Sequence, residues 1–126
     1  MIVVDTSALI AILLREPDAE RCIATIVASD EIAVSAATVA EALIVAGRRG
    51  ASEEMTALLD RLDIEILPLT AGDARNAADA YRKWGKGWSS AGLNFGDCFA
   101  YAAAKQRRCA LLFVGDDFSR TDIPAA

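Results

Sequence analysis

Apolar residues fall along this chain in short runs that switch between strand-like and helix-like spacing. Ile2-Val3-Val4 is a β-branched run that stops on Asp5 and predicts a buried central strand, and Thr6-Ser7 then opens a helix through Ala8 to Leu14. Arg15-Glu16-Pro17-Asp18 breaks that pattern. Ile23, Ile26 and Val27 mark the apolar face of a second helix from Ala19 to Ala28. Ile32-Ala33-Val34 predicts a second strand, and Ala36 to Gly47 is a helix-compatible, almost wholly apolar segment closed by Arg48-Arg49-Gly50. A helix from Ser52 to Leu62 follows, then a third strand from Ile64 to Pro68, whose proline favours a strand end or a sheet edge. Thr70 to Lys83 predicts another helix. The loop Trp84 to Gly96 carries four of the eight glycines, a helix runs from Asp97 to Arg107, and Leu111 to Val114 is a fourth strand. Thr121 to Pro124 is expected to add a brief edge strand.

Strands that alternate with helices in this way predict the α/β class. The expected architecture is one domain over residues 1–126, a mainly parallel sheet of four to five strands with helices on both faces. A chain of 126 residues supports one core and is too short for two. The longest uncharged stretch, Gly87 to Gly96, is ten residues, too short to span a bilayer. The chain opens on a strand with no basic, apolar leader, so a cytoplasmic location is expected. Cys22, Cys98 and Cys109 match no zinc or disulfide spacing and are expected to be buried free thiols.

Two compositional facts narrow the chemistry. Histidine is absent, which excludes His-dependent triads, Cys-His nucleophiles and two-histidine ribonuclease mechanisms. The net charge of -5 argues against broad electrostatic capture of a polyanion, so such a substrate would need a local basic patch or a bound cation.

The acids are where the chemistry gathers. Asp5 ends the first strand, and in open α/β sheets ligands bind at the carboxyl ends of strands; a helix cap is the simpler alternative. Glu41 is the only charged residue between Glu31 and Arg48, on a helix apolar enough to be largely buried, where a carboxylate must be paired, protonated or bound to metal. Asp97 is the only acid on another mostly apolar helix, where it too could be a cap. Asp116 and Asp117 follow the fourth strand as Asp5 follows the first, although Gly-Asp-Asp also suits a turn. If these carboxylates meet at one edge, each pair about 4 Å apart repels by roughly 4 kcal/mol at an effective dielectric of about 20. Such a cluster needs protons or a cation, and all-oxygen ligands select hard ions such as Mg²⁺ or Mn²⁺. One or two such ions can bind a phosphodiester and activate water for in-line attack.

With those acids in place, the chain resembles the PIN-domain family and, within it, the VapC toxins of bacterial type II toxin–antitoxin systems. The matching segments are Val4 to Leu9, Val39-Ala40-Glu41, Gly92 to Ala102, and Leu111 through Asp116-Asp117-Phe118 to Ile123, in order over essentially the whole length. The resemblance implies a Mg²⁺- or Mn²⁺-dependent endoribonuclease acting on RNA, usually a homodimer, held inactive by a cognate VapB-like antitoxin. It also implies that Asp5 and Asp97 are the principal metal ligands and that Glu41 is a ligand or orients the attacking water. One of Asp116 and Asp117 is implied as the fourth acid, and Thr6 or Ser7 as a hydroxyl that holds a carboxylate or a phosphate oxygen.

The loop Trp84-Gly85-Lys86-Gly87-Trp88 offers a possible RNA contact, Trp88 stacking on a base and Lys86 on phosphate; dimer or antitoxin contacts explain its tryptophans as well. Arg82, Lys83 and Lys86 form one basic cluster, and Lys105, Arg107 and Arg108 a second. Two other functions compete: a receiver-like or aspartyl-phosphate phosphoryl-transfer protein, and a non-catalytic binding module. A receiver gathers its acid pair near the first strand, whereas here the pair comes last. An aspartyl-phosphate enzyme wants a second acid two residues after the first, where Ser7 stands.

Overall fold

A computed structural model describes residues 1–126 and shows ten elements: β1 (Ile2–Val4), α1 (Thr6–Leu13), α2 (Ala19–Val27), β2 (Ile32–Ser35), α3 (Ala36–Arg48), α4 (Ser52–Arg61), β3 (Glu65–Leu67), α5 (Ala71–Trp84), α6 (Phe95–Arg107) and β4 (Ala110–Leu112). The four strands form one wholly parallel sheet in the order β3-β2-β1-β4. The first strand thus lies inside the sheet, paired through Ile2 with Ile32 and through Val3 with Leu111.

Side-chain alternation along β1 divides the core in two. Ile2 and Val4 face α1 to α4, packing with Leu9, Cys22, Ile26, Ala42 and Met55, while Val3 faces α5 and α6, packing with Ala77, Ala100, Tyr101 and Phe118. A sheet covered on both faces needs apolar residues at every strand position, which explains the unbroken Ile2-Val3-Val4 run. No helix is long and apolar enough to cross a membrane.

Several boundaries differ from expectation for identifiable reasons. The last strand stops at Leu112, two residues short of Val114, because the Val114 N–H donates to the Ser7 hydroxyl at 3.0 Å and is not available to a ladder. Thr121 to Pro124 forms no strand; a single parallel bridge joins Leu111 to Ala125, and Pro124 has no N–H to extend it. Helix α3 is not buried all round, since its buried side is Thr38, Ala42 and Ala46 and Ile44 is 60% exposed. Cys22 and Cys98 are buried as expected, whereas Cys109 is half-buried.

The segments flanking the sheet's carboxyl edge are tied down by polar bonds. The glycine-rich loop closes where Leu93 N–H donates to Trp84 O and Lys86 N–H to Leu93 O, both at 2.9 Å. Beyond β4, Tyr101 OH accepts from Trp84 Nε1 at 2.9 Å and donates to Asp122 Oδ1 at 2.5 Å, and Lys105 Nζ donates to Asp122 Oδ2 at 3.0 Å. Between these anchors Phe118 is 1% exposed and tilts against Phe113 at 5.1 Å, fixing the turn that carries Asp116 and Asp117. Phe118→Ala is expected to lower unfolding free energy by about 3–5 kcal/mol, read as a fall in urea midpoint with unchanged slope.

Candidate active site

Asp5 does two jobs with its two oxygens. As the N-cap of α1 it has extended backbone, and its Oδ2 accepts from the Ser7 N–H at 3.0 Å and the Ser7 hydroxyl at 2.6 Å. Its other oxygen, Oδ1, is buried without any hydrogen-bond partner. The Ser7 hydroxyl also accepts from Val114 N–H, so it joins the carboxyl ends of β1 and β4 and fixes the carboxylate between them. Burial pushes the Asp5 carboxyl above its ordinary value, with Glu41 adding to the rise against the lowering effect of the Ser7 bonds.

Asp97 repeats this design at the first turn of α6. Asn94 is the N-cap: its side chain accepts from Asp97 N–H at 2.9 Å, and Asp97 Oδ2 accepts from Asn94 N–H at 3.0 Å. This reciprocal capping box starts the helix at Phe95, two residues earlier than expected, and an Asn three residues ahead of an acid was the signal for it. The Asp97 carboxyl is pushed up to about 7, first by burial and then by the charges of Asp5, Asp117 and Glu41. Capping and membership of the acidic group are therefore not alternatives, because each aspartate binds its helix through Oδ2.

Glu41 reaches the group from α3 and is only half-buried. The Thr6 hydroxyl, one residue after Asp5, donates to Glu41 Oε1 at 2.5 Å and approaches Thr38 O at 3.5 Å. Thr38 itself is 1% exposed, and its hydroxyl has no partner.

Of the acidic doublet, Asp117 is the member whose charge bears on Asp97. Both members are exposed, and the Asp116 carbonyl accepts from the Ser119 N–H and hydroxyl in the turn that a Gly-Asp-Asp sequence favours.

These side chains meet at one edge without forming a finished cage: no three of them stand in a metal-ligating arrangement as they are. Their chemistry nonetheless fits a hard cation, with oxygen donors only, a buried Asp5 oxygen lacking any partner, and two carboxyls, Asp5 and Asp97, whose proton affinity is raised by burial and by neighbouring acids.

The basic residues are placed less favourably. Lys105 pairs with Asp122, Arg107 lies 3.8 Å from Glu65, and Arg82 pairs with Asp79. Lys83 lies over the Trp84 ring at 5.1 Å. Trp88 is 67% exposed, and Lys86 lines an apolar groove with Leu69, Tyr81, Phe95 and Phe99. Phe95, 77% exposed and two residues before Asp97, was not singled out in the sequence, since an aromatic next to a predicted helix normally signals core.

A raised Asp97 pKa means that the folded protein holds this proton more tightly than the unfolded chain does. Its contribution to stability is full below the ordinary value of 3.8 and is lost as pH rises through about 7. In chelator-treated protein, Asp97→Asn is expected to weaken a downward trend of melting temperature between those pH values, leaving the share that the raised Asp5 carboxyl contributes, read by thermal scans of both proteins.

The model of the PIN domain family matches residues 2–124. A VapC ribonuclease of Mycobacterium bovis is 44% identical over 124 residues, covering 96% of this chain and 95% of that protein. Among solved structures, Mycobacterium tuberculosis VapC20, described as a Sarcin-Ricin loop cleaving toxin, superposes with a TM-score of 0.80 at 19% identity, covering 100% of this chain and 98% of that one. A toxin–antitoxin complex from Klebsiella pneumoniae gives 0.75 at 17% identity, covering 97% and 93%. The family match spans nearly the whole chain, and the chain belongs to the PIN-domain family and, within it, to the VapC group.

Proposed function

We propose that this chain is a divalent-metal-dependent endoribonuclease, with Asp5, Glu41, Asp97 and Asp117 surrounding the phosphodiester to be cut. The observation that carries this reading is the Asp5 carboxylate, buried, with one oxygen engaged by Ser7 and the other unpartnered, near an Asp97 carboxyl that burial, and after it the neighbouring acids, push up to about 7. A protein keeps such a group only if something compensates it when it ionises. The mycobacterial relatives named as ribonucleases support the same reaction class.

Asp5 and Asp97 would hold Mg²⁺ or Mn²⁺. When bound, that ion supplies the positive charge that lets a phosphate approach this acidic edge and acidifies water for attack. The protein's own groups do the rest. Ser7 fixes the Asp5 carboxylate against the ends of β1 and β4, and the Asn94 capping box fixes Asp97. Thr6 holds Glu41 Oε1, which leaves Oε2 to accept a proton from the attacking water. Asp117 is the fourth acid in this scheme, in preference to Asp116. Lys86 and Trp88 are candidates to contact the flanking RNA.

The solved toxin–antitoxin complex of the same fold supports an antitoxin partner for this chain, and a homodimer is the proposed assembly. An RNA substrate puts the activity in the cytoplasm. Ser7, already bonded to Asp5 and Val114, disfavours the aspartyl-phosphate alternative.

Purified protein freed of antitoxin is expected to cut a structureless RNA with Mg²⁺ or Mn²⁺ and to stop when a chelator is added. Asp5→Asn and Asp97→Asn should each lower the rate on the order of 100- to 1,000-fold, and Asp117→Asn should cost more activity than Asp116→Asn. No cleavage with either ion, together with unchanged Mn²⁺ affinity in the two asparagine variants, would overturn the proposal. Glu41→Gln is expected to lower kcat while RNA affinity stays near wild type, measured by single-turnover cleavage and by binding in the presence of Ca²⁺.

A further inference from the structure

Gly96 lies inside the first turn of α6, in helical backbone that any residue adopts, so its conformation does not explain it. Space does. A Cβ built on Gly96 would run into Glu41 Oε2 and would stand 2.7 Å from Glu41 Cδ and 2.9 Å from Oε1, closer than a real side-chain carbon approaches such atoms. The Glu41 carboxylate therefore rests directly on the Gly96 backbone, with the Thr6 hydroxyl bonded to Oε1 at 2.5 Å. Gly96 is the immediate neighbour of Asp97, whose carboxyl feels the Glu41 charge.

We propose that Gly96 is a positioning residue: the side chain it lacks is the slot that seats the Glu41 carboxylate between Thr6 and the first turn of α6, beside Asp97. Two contacts then set where Glu41 sits, a hydroxyl that pulls on Oε1 and a bare backbone that admits Oε2 and Cδ. Neither belongs to α3, the helix that carries Glu41. The seat also places the acid at a helix N-terminus, where unsatisfied N–H groups favour negative charge.

A methyl group at position 96 would displace the tip of a flexible side chain and not the backbone, so the fold tolerates it while the seat does not. Helix propensity by itself favours Ala over Gly here. The two effects oppose each other, and their separation is the test.

The inference rests on the nuclease reading for its kinetic arm and is independent of it in the stability arm. With Mn²⁺ and a structureless RNA, Gly96→Ala is expected to lower kcat about 100-fold, the scale of a misplacement near 1 Å, with KM for RNA within about twofold of wild type. Glu41→Asp in the Gly96→Ala background withdraws the carboxylate by one methylene, so the double variant should be faster than the two single losses multiplied together. In chelator-treated protein, Gly96→Ala should raise the melting temperature more when Glu41→Ala is also present than when Glu41 is intact. Wild-type kcat in Gly96→Ala, or additive effects in both cycles, would overturn the slot. If the wild-type protein cut no RNA, the nuclease reading would fall, and the melting-temperature cycle would still decide whether Gly96 seats Glu41.

Discussion

Electrostatic crowding at the carboxyl edge of the sheet is the constraint around which this protein is arranged. Asp5, Glu41, Asp97 and Asp117 come from four separate parts of the chain, and three of them raise the proton affinity of Asp97. A carboxylate pair about 4 Å apart costs roughly 4 kcal/mol at an effective dielectric of about 20, whereas a helix cap contributes about 1 kcal/mol. Caps alone do not offset that repulsion. Burial, the largest cause, and the neighbouring charges together push the Asp97 carboxyl up to about 7, so its ionised form calls for a compensating proton or cation.

The fold holds this arrangement by giving local structural roles to the acids it brings together. Asp5 starts α1, and Asp97 starts α6 with Asn94; each uses Oδ2 for that purpose. A rigid parallel sheet supplies the spacing, because β1 and β4 are neighbours and their carboxyl ends are bonded through the Ser7 hydroxyl. Phe118 and the Tyr101–Asp122 bond then pin the turn beyond β4. The groups that hold the acids are thus distributed over both cores of the molecule, which couples the geometry of the edge to the stability of the whole sheet.

Glu41 is held differently. It caps nothing, is half-buried on a helix whose outer face is open to solvent, and is placed by two contacts from other elements, Thr6 and Gly96. A carboxylate placed by one hydroxyl and one gap is held less rigidly than the Asp97 carboxyl in its capping box.

The sequence by itself determined the alternation of strands and helices and the parallel sheet, and it singled out Asp5, Glu41, Asp97 and the Asp116-Asp117 pair as candidates, because burial on both faces demands unbroken apolar strands and leaves a lone carboxylate on an apolar segment conspicuous. Local patterns of two and four residues carry that information. Tertiary structure decided the rest. That α3 is open on one side, that Val114 leaves its strand for Ser7, and that Gly96 makes room for Glu41 depend on the tertiary arrangement, with partners as far as 107 positions apart. No local period encodes such pairings; they arise only when the sheet brings its carboxyl ends together.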